Sequence, residues 1–209
     1  MIIHFETFLI AGILLNLTPG NDTIFILSKS IGQGRKAGIV SALGIAAGTV
    51  VHTLMAALGL SIIIAKSLLL FNIIKYAGAA YLLYIGYKMI TDRGGLQFRD
   101  IEKKSEVNYR VIFRDAVITN VLNPKVGLFF ISFLPQFINP ASASPVTGFL
   151  LLGLTFICTG LTWCAILALF SSAIFNGLKQ HSKFSSWVNR MCGATIISLG
   201  IKVAFTDRK

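Results

Sequence analysis

Negative charge is what this chain has least of. Eight Asp and Glu stand against nineteen Lys and Arg in 209 residues, and all charged side chains together make up 13%, where soluble domains carry roughly one quarter. The acids are scattered, so no acidic cluster falls inside an apolar stretch, and the three histidines, His4, His52 and His181, lie far apart. Cys158, Cys164 and Cys192 sit in apolar segments without CxxC or CxxxxH spacing, which indicates neither a disulfide framework nor a zinc site. Gly94-Gly95 lacks the following Lys and hydroxyl that a phosphate-cradling loop requires. No metal, no cofactor, no catalytic residues and no ATP hydrolysis are expected; the chain does not read as an enzyme.

What the chain has is apolar length. Hydrophobic residues make up 55% and the mean hydropathy is +0.76. Stretches long enough to cross a bilayer, about 20 residues each, fall at roughly 3–28, 37–64, 67–91, 115–139, 146–175 and 187–206. The first has no basic segment before it and continues past any plausible cleavage site, so it reads as a retained span rather than a signal peptide. The expectation is an all-α membrane protein of six transmembrane helices, forming a single membrane domain over 1–209.

The net charge of +11 would suggest nucleic acid in a soluble protein, but here the basic residues gather between spans. Lys29, Arg35 and Lys36 follow span one; Arg93, Arg99, Lys103, Lys104, Arg110 and Arg114 follow span three; Lys179 and Lys183 follow span five. Lys66 alone marks the opposite side between spans. The positive-inside rule then makes 92–114 a cytoplasmic loop and places both termini outside the cytoplasm. Nucleic acid is not an expected partner; the lipid bilayer is.

Two prolines interrupt apolar spans. Pro19 lies in Asn16-Leu-Thr-Pro19-Gly20-Asn21-Asp22 and Pro124 in Asn120-Val-Leu-Asn123-Pro124-Lys125. A broken helix in a bilayer is tolerated where the freed backbone is buried in protein or faces a wet cavity. The halves 1–91 and 115–209 also echo one another: Lys75-Tyr-Ala-Gly78-Ala79 with Gly86 in span three matches Arg190-Met-Cys-Gly193-Ala194 with Gly200 in span six. Three spans per copy is odd, so the second copy enters from the opposite face. The expected architecture is two inverted-topology three-helix repeats with helices one and four broken. Pro19 is ten residues before Lys29 and Pro124 ten after Arg114, which sets both breaks about 15 Å deep, near the middle of a ~30 Å core.

Within the spans Asp22 and Lys125 stand out, because a lone charge at the bilayer centre costs about 3 kcal/mol and faces a cavity or a partner. They either pair or both line the cavity. An amino acid zwitterion needs a place for each of its charges: Asp22 for the ammonium, and the N-terminal ends of the half-helices after Gly20 and Pro124 for the carboxylate. Asn16, Thr18, Asn21, Asn120 and Asn123 add hydrogen-bonding groups, and His52 reads as either a pathway residue or a packing residue. Glu6 reads as interfacial, and Lys75 and Arg190 as boundary or packing residues. Gly44-x-x-x-Gly48, Gly78 with Gly86 and Gly193 with Gly200 allow close helix packing, within one chain or across a homodimer. Tyr76, Tyr81, Tyr84, Tyr87, Trp163, Phe129, Phe130 and Phe133 read as core, lipid contact or interfacial belt.

Thr18-Pro-Gly-Asn-Asp22, Gly34 and Gly38, Gly78-Ala-Ala-Tyr-Leu82 with Gly86, and Asn123-Pro-Lys-Val-Gly127 leading to Phe133-Leu-Pro-Gln-Phe137 together resemble the lysine exporter superfamily, in its branch of homoserine, threonine and related amino-acid efflux proteins. The likeness runs nearly end to end. It departs at Asn21, where the family pattern is Pro-Gly-Pro. The resemblance implies proton-coupled export of amino acids (threonine, homoserine, lysine or related small amines) across a bacterial inner membrane. A cation exporter of the same superfamily and a membrane thiol-disulfide oxidoreductase are the alternatives; the cysteines lie away from both prolines and disfavour the latter.

Overall fold

An apolar run with no water around it must close its backbone hydrogen bonds within itself, and each run here does so as a helix. The computed structural model describes residues 1–60, 68–91, 107–139, 142–171 and 182–205. Lys66, the expected loop 92–114 as far as residue 106, and the fifth span beyond residue 171 lie outside the described residues. The elements are α1 (Phe5–Leu17), α2 (Asn21–Gln33), α3 (Arg35–Met55, continued by a π-turn at Ala56–Leu60), α4 (Leu68–Thr91), α5 (Tyr109–Val121), α6 (Pro124–Ser132, continued by a 3₁₀ turn at Leu134–Phe137), α7 (Pro145–Leu169) and α8 (Ser182–Phe205). This is an all-α membrane protein.

Arg35–Leu60 and Pro145–Leu169 are each long and apolar enough to cross a membrane unaided. Two bent pairs pass the same test as units: α1 with α2, and α5 with α6, each bent by 48°. These are the interrupted spans one and four. Helices α4 and α8 have 24 residues each, about 36 Å of helix, and occupy the expected third and sixth positions.

The described ends sort into two groups. Ile3 N–H donates to Phe137 O and Asn139 N–H to Met1 O, both at 2.9 Å, so the N-terminus and the turn after α6 share one end. The Lys36 ammonium lies 4.8 Å from the Tyr109 ring centroid, at the other end of the α1–α2 pair.

Two apolar cores flank the level of the breaks. In the first, Phe8 of α1 and Phe129, Phe130 and Phe133 of α6 pack with Phe149 and Phe156 of α7, Phe129 and Phe133 stacking at 4.8 Å between centroids. In the second, Ile26 and Leu27 of α2 meet Ala42 and Ile45 of α3, Ala116 of α5 and Leu167 of α7. Between lipid-bathed helices, packing rather than water exclusion drives association, which favours small residues at crossings. A Cβ on Gly44 would sit 2.6 Å from the Ala116 Cβ, and one on Gly48 2.8 Å from the Asn120 Cβ. Gly86 approaches Gly193 O in the same way across α4 and α8. The glycine pairs noted in the sequence thus serve packing within one chain. The outward surface is apolar, with Ile10, Leu58, Leu69 and Leu122 all at least 60% exposed, as a lipid-facing surface requires.

The breaks follow from backbone chemistry. A regular helix would send the N–H of residue 19 to Leu15 O and that of residue 124 to Asn120 O, but proline has no N–H. Each carbonyl instead accepts the N–H of the residue before its proline, Thr18 at 3.2 Å and Asn123 at 2.9 Å. A side chain supplies the second donor. The Lys125 ammonium donates to Leu15 O at 3.2 Å and to Thr18 O at 2.9 Å, and His52 Nε2 lies 3.1 Å from Asn120 O. A carbonyl only accepts, so the His52 proton is on Nε2.

Lys125 therefore closes the end of α1 across the molecule. Lys125→Met is expected to lower the stability of the purified protein by about 1–3 kcal/mol, the cost of taking the ammonium donor from Thr18 O and the second donor from Leu15 O. Adding Pro19→Ala returns an N–H at position 19 and should recover part of that loss. Thermal unfolding in detergent checks this: a double variant no more stable than Lys125→Met alone would refute the assignment.

Candidate functional site

Asn120 is the centre of the polar layer between the two cores. It is buried on α5, and Gly48 of α3 leaves room for it. Its Nδ2 donates to Asp22 Oδ2 at 3.0 Å, its Oδ1 lies 3.3 Å from Thr49 Oγ1, and its backbone carbonyl takes His52. The hydroxyl and the carboxylate together fix which way the amide faces. Three spans are joined through one residue.

Asp22 lies in the first turn of α2, which begins at Asn21 with Gly20 as its N-cap and no side-chain cap. The unpaired N–H groups there offset the carboxylate's charge. Its Oδ2 is held by Asn120, while Oδ1 is buried with no hydrogen-bond partner. Lys125 is the mirror case. It sits in the first turn of α6, where the Asn123 side chain caps the helix by accepting the Lys125 N–H at 3.0 Å. A cation is unfavourable at that end of its own helix, and its ammonium reaches instead to the carbonyl end of α1, where the dipole favours it.

Asp22 and Lys125 line one cavity, together with Asn16, Thr23, Thr49 and Asn120. The rest of the wall is apolar: Leu15 of α1, Ile45 of α3 and Phe156, Leu161, Trp163 and Cys164 of α7. Space for the centres of water-sized particles amounts to about 30 Å³, room for roughly two waters. Asn16 bridges to α7 by donating from Nδ2 to Thr159 Oγ1 at 3.2 Å. Both alternatives for Asp22 and Lys125 had them in one place; the structure shows them lining the same space, with Asn120 on the acid and the α1 carbonyls on the base.

The other expected residues frame the cavity rather than line it. Thr18 is buried and turns its hydroxyl back to Leu14 O at 2.7 Å. Pro19 and Gly20 form the link between α1 and α2, and a Cβ on Gly20 would lie 3.3 Å from the Lys125 ammonium. Asn123, Pro124 and His52 hold the second break. Asn21 is exposed and stands outside the lining. Cys158 is exposed and Cys164 buried, both as free thiols. Among the described residues no group of three or more His, Cys, Asp or Glu comes together.

The contribution of α7 was missed. Phe156, Gly160, Trp163 and Cys164 follow helical spacing and share one face, and all four line the cavity. A Cβ on Gly160 would sit 3.2 Å from Asn16 Oδ1. The signal was present as a glycine and a tryptophan on one stripe, masked by the apolar composition of the whole span.

Comparison with known proteins identifies the family. The family model described as LysE type translocator matches residues 13–207. An uncharacterized membrane protein, YrhP, from Bacillus subtilis (strain 168) is 33% identical over 201 residues, 91% of this chain and 93% of the relative. Proteins named leucine efflux protein from Salmonella typhimurium and Klebsiella pneumoniae are 28% and 29% identical over 207 residues, 97% of this chain and 95% of theirs. No solved structure matches. The chain belongs to the LysE type translocator family, and is a membrane transporter rather than an enzyme.

Proposed function

We propose that the protein is a secondary exporter of neutral amino acids with aliphatic side chains, exchanging them for protons across a bacterial cytoplasmic membrane. One observation carries this reading: the two breaks bring an acid and a base of opposite halves to one cavity whose wall is otherwise apolar except at Asn16, Thr23, Thr49 and Asn120. Asp22 Oδ1, buried and unpartnered, suits the ammonium group of a zwitterion. The carboxylate is received elsewhere in the same cavity, whose lining also includes the cationic Lys125. The side chain then meets Leu15, Ile45, Phe156 and Leu161. Among the described residues Asp22 is the one acid in the lining, so a lysine-like substrate would bury its second ammonium without a partner, at high cost. The name of the leucine efflux relatives supports the same class.

Proton coupling follows from competition. A proton and a substrate ammonium group claim the same carboxylate, so binding one excludes the other, which is the minimum requirement for exchange. The halves 1–91 and 115–209 are read as inverted repeats that rock about the shared site; the equal 48° bends support this. The distribution of basic residues favours both termini outside the cytoplasm, and the N-terminus lies at the end of the molecule opposite Lys36 and Tyr109.

Counterflow in proteoliposomes tests the reading. Labelled L-leucine is expected to accumulate when the lumen is made acidic, and L-lysine at least about tenfold less, the penalty expected for an unpaired buried charge. Accumulation of no amino acid under either condition would sink the proposal. At equal membrane abundance, Asp22→Asn should lose both transport and its dependence on the pH gradient. Normal gradient-driven uptake by that variant would remove Asp22 from the coupling role.

A further inference from the structure

Four buried side-chain polar atoms among the described residues have no hydrogen-bond partner: Asp22 Oδ1, Ser30 Oγ, Asn123 Nδ2 and Trp163 Nε1. Two of them, on Asp22 and Trp163, belong to residues that line the cavity. They are chemically complementary. A carboxylate oxygen can only accept, and an indole N–H can only donate. Leaving such a group unmet inside a protein costs about 1–3 kcal/mol, so a ligand that satisfies both regains that cost on binding.

We propose that the Trp163 indole N–H binds the carboxylate of the transported amino acid, opposite the Asp22 oxygen that takes its ammonium group. This inference rests on the exporter reading above and adds a specificity residue to it. The geometry is consistent. Trp163 lies on the α7 stripe that includes Gly160, which faces Asn16, and Cys164, which packs in the second core. It reaches the cavity from α7, whereas Asn120 holds the other oxygen of Asp22 from α5. Lys125 is tied to the α1 carbonyls, whereas the indole proton has no acceptor to give up. A ligand with an ammonium but no carboxylate meets only one of the two unpartnered atoms.

The chain has two tryptophans, and the other, Trp187 on α8, is 59% exposed. Trp187→Phe thus leaves Trp163 as the single indole in an otherwise native site. In that protein, L-leucine is expected to shift the Trp163 emission, and 3-methylbutylamine, leucine without its carboxylate, is expected to leave it nearly unchanged. Trp163→Phe should weaken L-leucine binding about tenfold or more, the value of a hydrogen bond to a charged group, and 3-methylbutylamine binding less than about twofold. Trp163→His, which keeps a ring N–H, should recover part of the loss. Equal weakening of both ligands, unchanged L-leucine affinity, or emission indifferent to L-leucine overturns the assignment and leaves the exporter reading in place. A wild-type protein that binds no amino acid removes both.

Discussion

The missing N–H of a proline sets the rest of this structure in place. At Pro19 the helix loses a donor to Leu15 O, and in a bilayer no water stands ready to replace it. The replacement is the ammonium of Lys125, delivered from another span and seated on Leu15 O and Thr18 O. At Pro124 the corresponding carbonyl, Asn120 O, is met by His52 from a third span. Each break is thus repaired by a side chain from elsewhere. The repairs tie α1 to α6 and α5 to α3, so the interruptions become the points at which the molecule is cross-linked.

This explains how two charges are accommodated in an apolar chain. Lys125 is stabilised by carbonyl dipoles at the end of α1, and Asp22 by the amide of Asn120 and the N-terminal turn of α2. Charges held by fixed dipoles keep their positions when a ligand arrives, whereas a carboxylate and an ammonium held only by each other would have to separate. The polar layer is also thin. An aromatic core of α1, α6 and α7 lies on one side and an aliphatic core of α2, α3, α5 and α7 on the other, an arrangement that confines water to a single level.

Much of this was legible in the sequence because backbone chemistry is local. Proline and its polar neighbours marked both breaks, counting residues to Lys29 and Arg114 set them at one depth, and Gly44 and Gly48 marked a close crossing. Asp22 and Lys125 were conspicuous simply as charges in apolar runs. What stayed hidden depends on rotation about helix axes. Nothing in the periodicity of α7 separates its lipid-facing side from its cavity-facing side, since both are apolar in a bilayer. Trp163 therefore read as core or belt. The partner of His52 was equally invisible, because a backbone carbonyl made available by a proline in another span leaves no mark near position 52.

The size of the cavity constrains what must move. Room for about two waters is too little for any amino acid with its side chain, so binding has to part the walls. Parting α5 from α2 or α3 would break the Asn120 contacts with Asp22, Thr49 and His52, and parting α6 from α1 would pull Lys125 from its carbonyls. Across the α7 wall Asn16 donates to Thr159, and Phe156, Ile157, Gly160 and Leu161 of α7 present a largely apolar face to the cavity. Apolar surfaces in a membrane slide at small cost, because lipid or another apolar face replaces what is lost. The physical asymmetry of the site therefore favours movement of α7 relative to a cross-linked unit of α1, α2, α3, α5 and α6.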